Sequence, residues 1–164
     1  MTLWVLGFTL LAAATTVSDS PEECPSGKPV RVLPSVIPVL GQSPIWAATG
    51  GKPLAWDGSN QPVRVLWLRD VAVRGAAQLS GKARTGRARA TFAASMYANQ
   101  EMRFKLDGLG DRPKGIKEAD LQKYAFHWTF VWFPEPGCYE ITARVGSQQS
   151  LIYLAVTPSA KKTT

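Results

Sequence analysis

The residues of this chain that could do catalytic chemistry are few and scattered. His127 is the only histidine among 164 residues, and a Ser-His-Asp hydrolase would have to use it as the general base. No Gly-x-Ser-x-Gly turn presents a serine to it. The acids that could assist lie in turns or at strand ends and are Asp57, Asp70, Asp107, Asp111 and Glu140. A small hydrolase using loop carboxylates and His127 is therefore the alternative interpretation, and a non-enzymatic protein is the main expectation.

The sequence also lacks the patterns of metal and cofactor sites. Two cysteines and one histidine without paired spacing do not make a structural zinc site. A blue-copper centre needs two histidines, and no His or Met follows Cys138. Gly108-Leu109-Gly110 lacks the Lys-Ser/Thr ending of a phosphate-binding loop. We expect no cofactor and no metal, and we expect His127 to be a partly exposed strand residue.

The two cysteines, Cys24 and Cys138, are an even number in a chain that carries an export pattern, so they predict a disulfide. A loop of more than 100 residues would be closed, which the chain-entropy model values at roughly 4–5 kcal/mol. Alternation along the strand places Cys138 on the face opposite Tyr139 and Ile141. The bond would therefore hold the N-terminal segment on the outside or at the rim of a sheet.

The formal net charge of the whole chain is +7, and the positive residues are concentrated in one part of it. Seven cations stand against the single acid Asp70, and they are Arg64, Arg69, Arg74, Lys82, Arg84, Arg87 and Arg89. Such a cluster suits an acidic glycan, an anionic membrane surface or nucleic acid, although a solvated face with a basic loop would look the same. Because no nucleic-acid-binding motif accompanies the charge, we expect no nucleic acid partner. Arg84, Arg87 and Arg89 are candidate contacts.

Five aromatic residues alternate along one segment, namely Tyr124, Phe126, Trp128, Phe130 and Trp132. Alternate residues of a strand share one face, so these five, here called the aromatic ladder, predict a thick aromatic layer packed between two sheets; an exposed binding surface is the alternative. His127 falls on the opposite face. Trp46 and Trp56 flank a glycine-rich turn and are candidate binding residues, since exposed rings can stack on a sugar or anchor a protein partner.

Short apolar runs broken by Gly and Pro are typical of an all-β protein. The predicted strands are Val30–Leu33, Ile45–Ala48, Val63–Leu68, Val71–Leu79, Arg87–Ala93, Met102–Leu106, Tyr124–Phe133, Tyr139–Val145 and Leu151–Val156. Val63–Leu68 is apolar on both faces, as a central strand is. Arg87–Ala93 alternates cations with small residues and reads as an edge strand. A helical turn or two is predicted within Ile116–Gln122.

The segment from Phe133 to Thr142 carries a Pro-Gly-Cys-Tyr corner followed by an alternating strand. It resembles the penultimate strand of extracellular immunoglobulin-like and PKD-type sandwiches, and it is similar to exported bacterial proteins with Pro-Gly-Cys followed by an aromatic. The resemblance covers some 25 residues and implies an immunoglobulin-like, two-sheet antiparallel β-sandwich of about nine strands. The antibody disulfide does not carry over, because Cys138 precedes Tyr139 instead of following it by two.

The apolar run from Leu3 to Ala14, followed at once by polar residues, predicts a signal peptide over residues 1–18; a buried N-terminal strand is the alternative. Residues 19–158 are predicted to form one sandwich domain, and residues 159–164 a flexible tail. We expect a secreted or periplasmic protein that is not an integral membrane protein once processed. Its expected role is that of a binding or accessory domain for a cell-envelope glycan or a protein.

Overall fold

A computed structural model of the protein describes residues 24–25, 27–33, 37–58, 60–108 and 110–159. The signal peptide predicted over residues 1–18 lies outside the described residues, as does the predicted tail from residue 160 onward. No helix in the described part of the chain is long and apolar enough to cross a membrane.

The described residues form ten strands and one helical turn. The strands are β1 (Val39–Gln42), β2 (Ile45–Ala48), β3 (Leu54–Trp56), β4 (Val63–Asp70), β5 (Ala77–Ala83), β6 (Arg89–Ala93), β7 (Arg103–Leu106), β8 (Tyr124–Trp132), β9 (Gly137–Val145) and β10 (Gln148–Pro158). The helical turn, α1, spans Glu118–Leu121 and lies within the predicted segment. The predicted all-β class is confirmed.

The strands form one curled sheet, a half-barrel, in the order β1-β2-β4-β8-β6-β5-β9-β10-β3, with β7 also paired to β5. The two arms of the curl face each other across the core, as the layers of a sandwich do. Within this described sheet every pairing is antiparallel except that of β10 with β3. β6 joins the two arms, because Thr91–Ala93 pair with β8 while Arg89 and Ala90 pair with β5.

Large apolar side chains from both arms fill the core. Trp67, Phe92 and Tyr139 are fully buried there, together with the apolar face of β9 that alternation predicts. The indole N–H of Trp67 donates to Thr129 Oγ1 at 2.8 Å, so the one polar atom of this ring has a partner inside the core. Tyr139 Oη donates to the Glu135 carbonyl at 2.9 Å and closes the Pro-Gly corner.

The aromatic ladder does not belong to this core, contrary to the prediction. The opposite face of β8 points inward and supplies Val131 to the main cluster, with Phe133 following just after the strand. Phe126 of the ladder is buried instead in a second cluster on the outer face of the sheet, against which Tyr124 and Trp128 also pack. Residues before β1 and around α1 cover that outer face, namely Val32, Leu33, Ile116 and Leu121. The small inward residues of β8 leave space that large rings from the other strands occupy.

Three predicted strands differ from the observed ones. Val30–Leu33 contributes only an isolated bridge, between Val30 and Val39. The strand predicted to start at Val71 begins at Ala77, after a turn in which Asp70 accepts the Ala72 N–H at 2.9 Å. The strand rich in arginine is not an edge strand, because β6 is paired on both sides.

The predicted disulfide is present between Cys24 and Cys138, 114 residues apart. Cys138 lies on the outer face of β9, so the bond holds the start of the described chain against the outside of the sheet, as predicted. Ser150, near the start of β10, joins this strand to the other arm of the sheet and is fully buried. Its Oγ donates to the Gln42 carbonyl at 3.0 Å and accepts the Ile45 N–H at 3.4 Å.

Candidate functional site

Strand register gathers basic side chains on the outer face of β5 and its neighbours. Residues directly opposite each other in paired strands share a face. Lys82 lies opposite Arg89, Ser80 opposite Arg103, and Gln78 opposite both Lys105 and Arg144. Arg84 follows the end of β5 with the same alternation. We call the six cations Lys82, Arg84, Arg89, Arg103, Lys105 and Arg144 the basic face.

The six cations are close enough to act on one ligand. They span two strand spacings in one direction, about 10 Å, and the six residues from the row of Gln78 to Arg84 in the other, about 20 Å. Glu140 is the one acid in these cross-strand rows, and its carboxylate lies 3.4 Å from Lys82 Nζ. Asp107 at the rim contacts Lys105 Nζ at 2.9 Å. Within the described residues, no carboxylate pairs with Arg89, Arg103 or Arg144, so the face carries a strong positive field.

A shallow concavity of about 260 Å³ lies at the end of the basic face formed by the rows of Gln78 and Ser80. Its lining includes the guanidinium-bearing side chains Arg103 and Arg144 with the hydroxyl residues Ser80 and Thr142 and the amide of Gln78. Arg144 Nε donates to Gln149 Oε1 at 3.0 Å, which holds the side chain across β10. Guanidinium groups bind carboxylate and phosphate through paired hydrogen bonds, so the concavity offers a site for an anionic group with hydroxyl neighbours.

The three arginines predicted as contacts surround one end of this face. Arg89 is part of β6 and exposed, and Arg87 is exposed in the turn between β5 and β6. The guanidinium carbon of Arg84 lies 5.8 Å from the ring centroid of Tyr153, which shares the outer face of β10. The register therefore places Arg89 directly opposite Lys82, two residues before Arg84.

The two tryptophans predicted as contacts do not join the basic face. Trp46 is buried in the outer cluster, where its ring meets Tyr124 edge to face at a centroid distance of 5.9 Å. Trp56 is half-buried against the main core, and its indole N–H donates to the Phe133 carbonyl at 3.0 Å. Both rings pack against other apolar side chains of the fold.

A second concave region opens where β6 ends and leaves half of β8 without a neighbouring strand. The loop after β7 fills part of this gap: the Asp111 N–H donates to the Phe126 carbonyl, and the Trp128 N–H donates to Asp111 Oδ2 at 2.8 Å. The remaining space, about 640 Å³, is the acidic groove. Glu101, Asp107, Asp111, Lys105, His127 and Trp128 contribute to its walls.

His127 is buried at this groove, contrary to the expectation of a partly exposed residue. The side chain is 6% exposed, because it lies on the inward face of β8 opposite Trp67. Its Nε2 is buried without a hydrogen-bond partner among the described residues. Burial and, after it, the positive charge of Arg69 lower the pKa of His127 below 6.5, against the weaker opposing effect of Asp111 and Asp107. Burial therefore favours the neutral imidazole.

The acidic groove brings His127 together with two of the five acids considered from the sequence. Asp57, Asp70 and Glu140 lie elsewhere, while Asp107 and Asp111 line the groove. No described carboxylate bonds to the imidazole, since Asp107 contacts Lys105 and Asp111 accepts the Trp128 N–H. No serine, threonine or cysteine is among the described residues that line the groove. The described residues also hold no group of three or more His, Cys, Asp or Glu that could bind a metal ion.

Sequence reasoning missed Arg103, Lys105 and Arg144 as members of the site. Each alternates with apolar neighbours and so signals an exposed strand face, but their approach to Lys82 and Arg89 depends on which strands pair.

Comparison with protein-family models, with curated proteins and with solved structures found no match to this chain.

Proposed function

We propose that this protein is an exported, non-enzymatic binding domain whose ligand is an anionic glycan of the cell envelope. The observation that carries the proposal is the convergence of six cations from β5, β6, β7 and β9 on one face, two of which, Arg103 and Arg144, line a concavity with hydroxyl and amide groups. The proposed location, secreted or periplasmic, rests on the Cys24–Cys138 bond, because disulfides persist in oxidising compartments.

Several weak charge contacts acting together would supply the affinity. One exposed ion pair contributes about 0–1 kcal/mol, so a single acidic group would bind poorly to any one of these cations. A polymer that carries repeated acidic groups can contact several cations at once, and the second contact then forms at a high effective concentration. The basic face measures about 10 Å by 20 Å, and its successive rows of side chains are about 7 Å apart, within the Debye length of about 8 Å at physiological salt.

The side chains between the cations favour a glycan over a purely charged surface. Ser80 and Thr142 both donate and accept hydrogen bonds, and the Gln78 amide does the same. These groups match sugar hydroxyls beside a carboxylate, sulfate or phosphate. A flat anionic membrane would use the charge but would leave this concavity without contacts.

The test is binding of the protein from Asp19 onward to polygalacturonate and to heparin, with neutral dextran as the comparison polymer. We expect saturable binding to both polyanions, none to dextran, and a steep loss of affinity with added salt. The double variant R103Q/R144Q should lower affinity about tenfold or more, because both guanidinium groups leave the concavity. Calorimetry or biolayer interferometry gives the dissociation constants.

A matched control removes the same kind of charge outside the basic face. Arg112 is exposed beyond β7, and its described carboxylate contact is Glu118 at 3.8 Å. R112Q should bind polyanions nearly as well as the unmodified protein. Equal losses in R112Q and R103Q/R144Q would show that net charge alone drives the binding, and no binding of either polyanion would refute the proposal.

A further inference from the structure

The acidic groove differs in chemistry from the basic face beside it. Three carboxylates line it, those of Glu101, Asp107 and Asp111, against one ammonium group, that of Lys105. An ionised carboxylate only accepts hydrogen bonds. A partner in the groove must therefore present donors, and a polyanion would be repelled.

The buried histidine is a second and independent sign of a ligand. Buried polar atoms in folded proteins nearly always have a hydrogen-bond partner. The His127 side chain is only 6% exposed, and it lines the groove. Its Nε2 has no hydrogen-bond partner among the described residues. A neutral imidazole nitrogen forms one hydrogen bond as donor or acceptor, and a hydroxyl group can supply either kind.

Apolar walls complete the groove. Phe104 and Leu106 reach it from β7, and Trp128 from β8. The guanidinium of Arg64 lies 4.3 Å from the Trp128 ring centroid, so one face of this ring is covered, while the residue also packs on the outer cluster and lines the groove. Aromatic walls together with a few fixed polar groups are the usual composition of a small-ligand site.

We infer that the acidic groove is a second binding site, for a hydroxyl-rich ligand without negative charge: a neutral or amine-bearing sugar unit. The carboxylates of Glu101 and Asp107 accept hydrogen bonds from its hydroxyl or amine groups, Phe104 and Trp128 contact its apolar faces, and the sugar packs against the part of His127 that lines the groove. This site is separate from the basic face, and its occupancy does not depend on polyanion binding.

The single histidine makes the experiment specific. The ring signals of His127 are the only imidazole signals of the natural chain, so NMR reports on the groove without assignment of other residues. The probes are glucose, N-acetylglucosamine and glucosamine, with galacturonate as the anionic comparison. We expect at least one of the first three to shift the His127 signals saturably and galacturonate to leave them unchanged.

Variants of two exposed acids in the groove, compared with a variant of one exposed acid elsewhere, distinguish a specific sugar site from a general effect of removing negative charge. E101Q and D107N should each weaken the bound sugar about tenfold or more, since each removes a charged acceptor. E118Q removes an exposed carboxylate from α1 and should leave sugar affinity unchanged.

Two results would overturn the inference. One is the absence of a saturable His127 shift with every uncharged or amine-bearing probe up to its solubility limit. The other is an equal loss of affinity in E118Q and E101Q. Both readouts use small probes, so failure of polyanion binding at the basic face would not affect them.

Discussion

The basic face and the acidic groove meet at the Lys105–Asp107 ion pair, yet the chain builds them in different ways. The basic face is a regular surface: each cation stands where strand alternation and register place it, on β5, β6, β7 and β9. The acidic groove is an interruption, formed where β6 leaves β8 and a loop enters the gap. The basic face depends on many weak charge contributions, whereas the shape of the acidic groove depends on a few backbone hydrogen bonds. Substitutions should therefore affect the two regions unequally.

Loss of the disulfide should have the largest effect on the free energy of unfolding. It tests whether the basic face and the acidic groove unfold together. The variant C24S/C138S removes a bond that closes a long loop, and we expect the free energy of unfolding to fall by about 4 kcal/mol. Chemical denaturation measures the change. Reduction of the natural protein should reproduce it, and a reduced protein as stable as the oxidised one would contradict the prediction.

Gly110→Ala should damage the groove and spare the face. Gly110 has φ of 77°, and a Cβ there would collide with the backbone carbonyl of Phe126. The loop that carries Asp111 would have to move, at a cost of about 1–3 kcal/mol. We expect loss of sugar binding in the His127 NMR experiment with polyanion affinity retained.

Gly108→Ala is the matched control, because Gly108 also has positive φ, 73°, but no atom lies within 4 Å of its added Cβ. It shares the backbone strain and lacks the collision. If G108A abolished sugar binding as fully as G110A, strain in the loop would be responsible, and the importance of the Phe126 contact would be refuted.

Acid should weaken the fold through the groove histidine. The charged groups acting on His127 are Arg69, Asp111 and Asp107, and the net result is a folded pKa below 6.5. The unfolded chain then binds the proton more readily, so the contribution of His127 to stability is complete above pH 6.5 and is lost as pH falls from there towards the folded pKa. The slope cannot exceed about 1.4 kcal/mol per pH unit for one proton.

Two measurements check this prediction. An NMR titration of the His127 ring should show a midpoint below 6.5. Urea denaturation at several pH values should show a slope that H127Q lacks. A midpoint above 6.5 would mean that the acids of the groove outweigh burial and Arg69.

Removal of Glu140, the one acid in the cross-strand rows of the basic face, should have the smallest effect on stability. It should change binding at the basic face and not at the acidic groove. Glu140→Gln leaves Lys82 without its carboxylate at 3.4 Å. Because Lys82 is largely exposed, stability should change by less than about 0.5 kcal/mol. Polyanion affinity should rise two- to threefold at low salt, as measured by calorimetry, and sugar binding in the groove should not change. A fall in polyanion affinity would be the contrary result.

Strand alternation predicted much of this fold from local residues. The apolar face of β9 and the central position of β4 follow from patterns within each strand, and both are confirmed. The three-residue β3 has no such pattern, and its pairing depends on the distant β10. The ladder of β8 was assigned to the wrong side because it is the more apolar face of that strand, which alternation alone places inward. Which face turns inward depends on the rings of β4, β6 and β9 that fill the core.

The candidate sites were less predictable because both depend on contacts between distant strands. Arg84, Arg87 and Arg89 are visible as a cluster in the sequence, but Arg144 joins Lys105 only through their common partner Gln78. The groove requires knowledge of where β6 stops pairing with β8. The burial of His127 likewise follows from its position opposite Trp67, 60 residues earlier in the chain.

The disulfide described above also fixes the direction from which an attached partner would emerge. Cys24 is bonded to the outer face of β9, and the Cys138 carbonyl accepts the Arg84 N–H at 2.9 Å. A tag or fusion domain placed ahead of residue 24 would therefore start beside Arg84 and crowd polymers approaching the cations. Attachment after Ser159, whose N–H donates to the Trp56 carbonyl at 2.7 Å, starts instead from the β3 edge. Immobilisation through the C-terminal end is accordingly the geometry that leaves the arginines accessible.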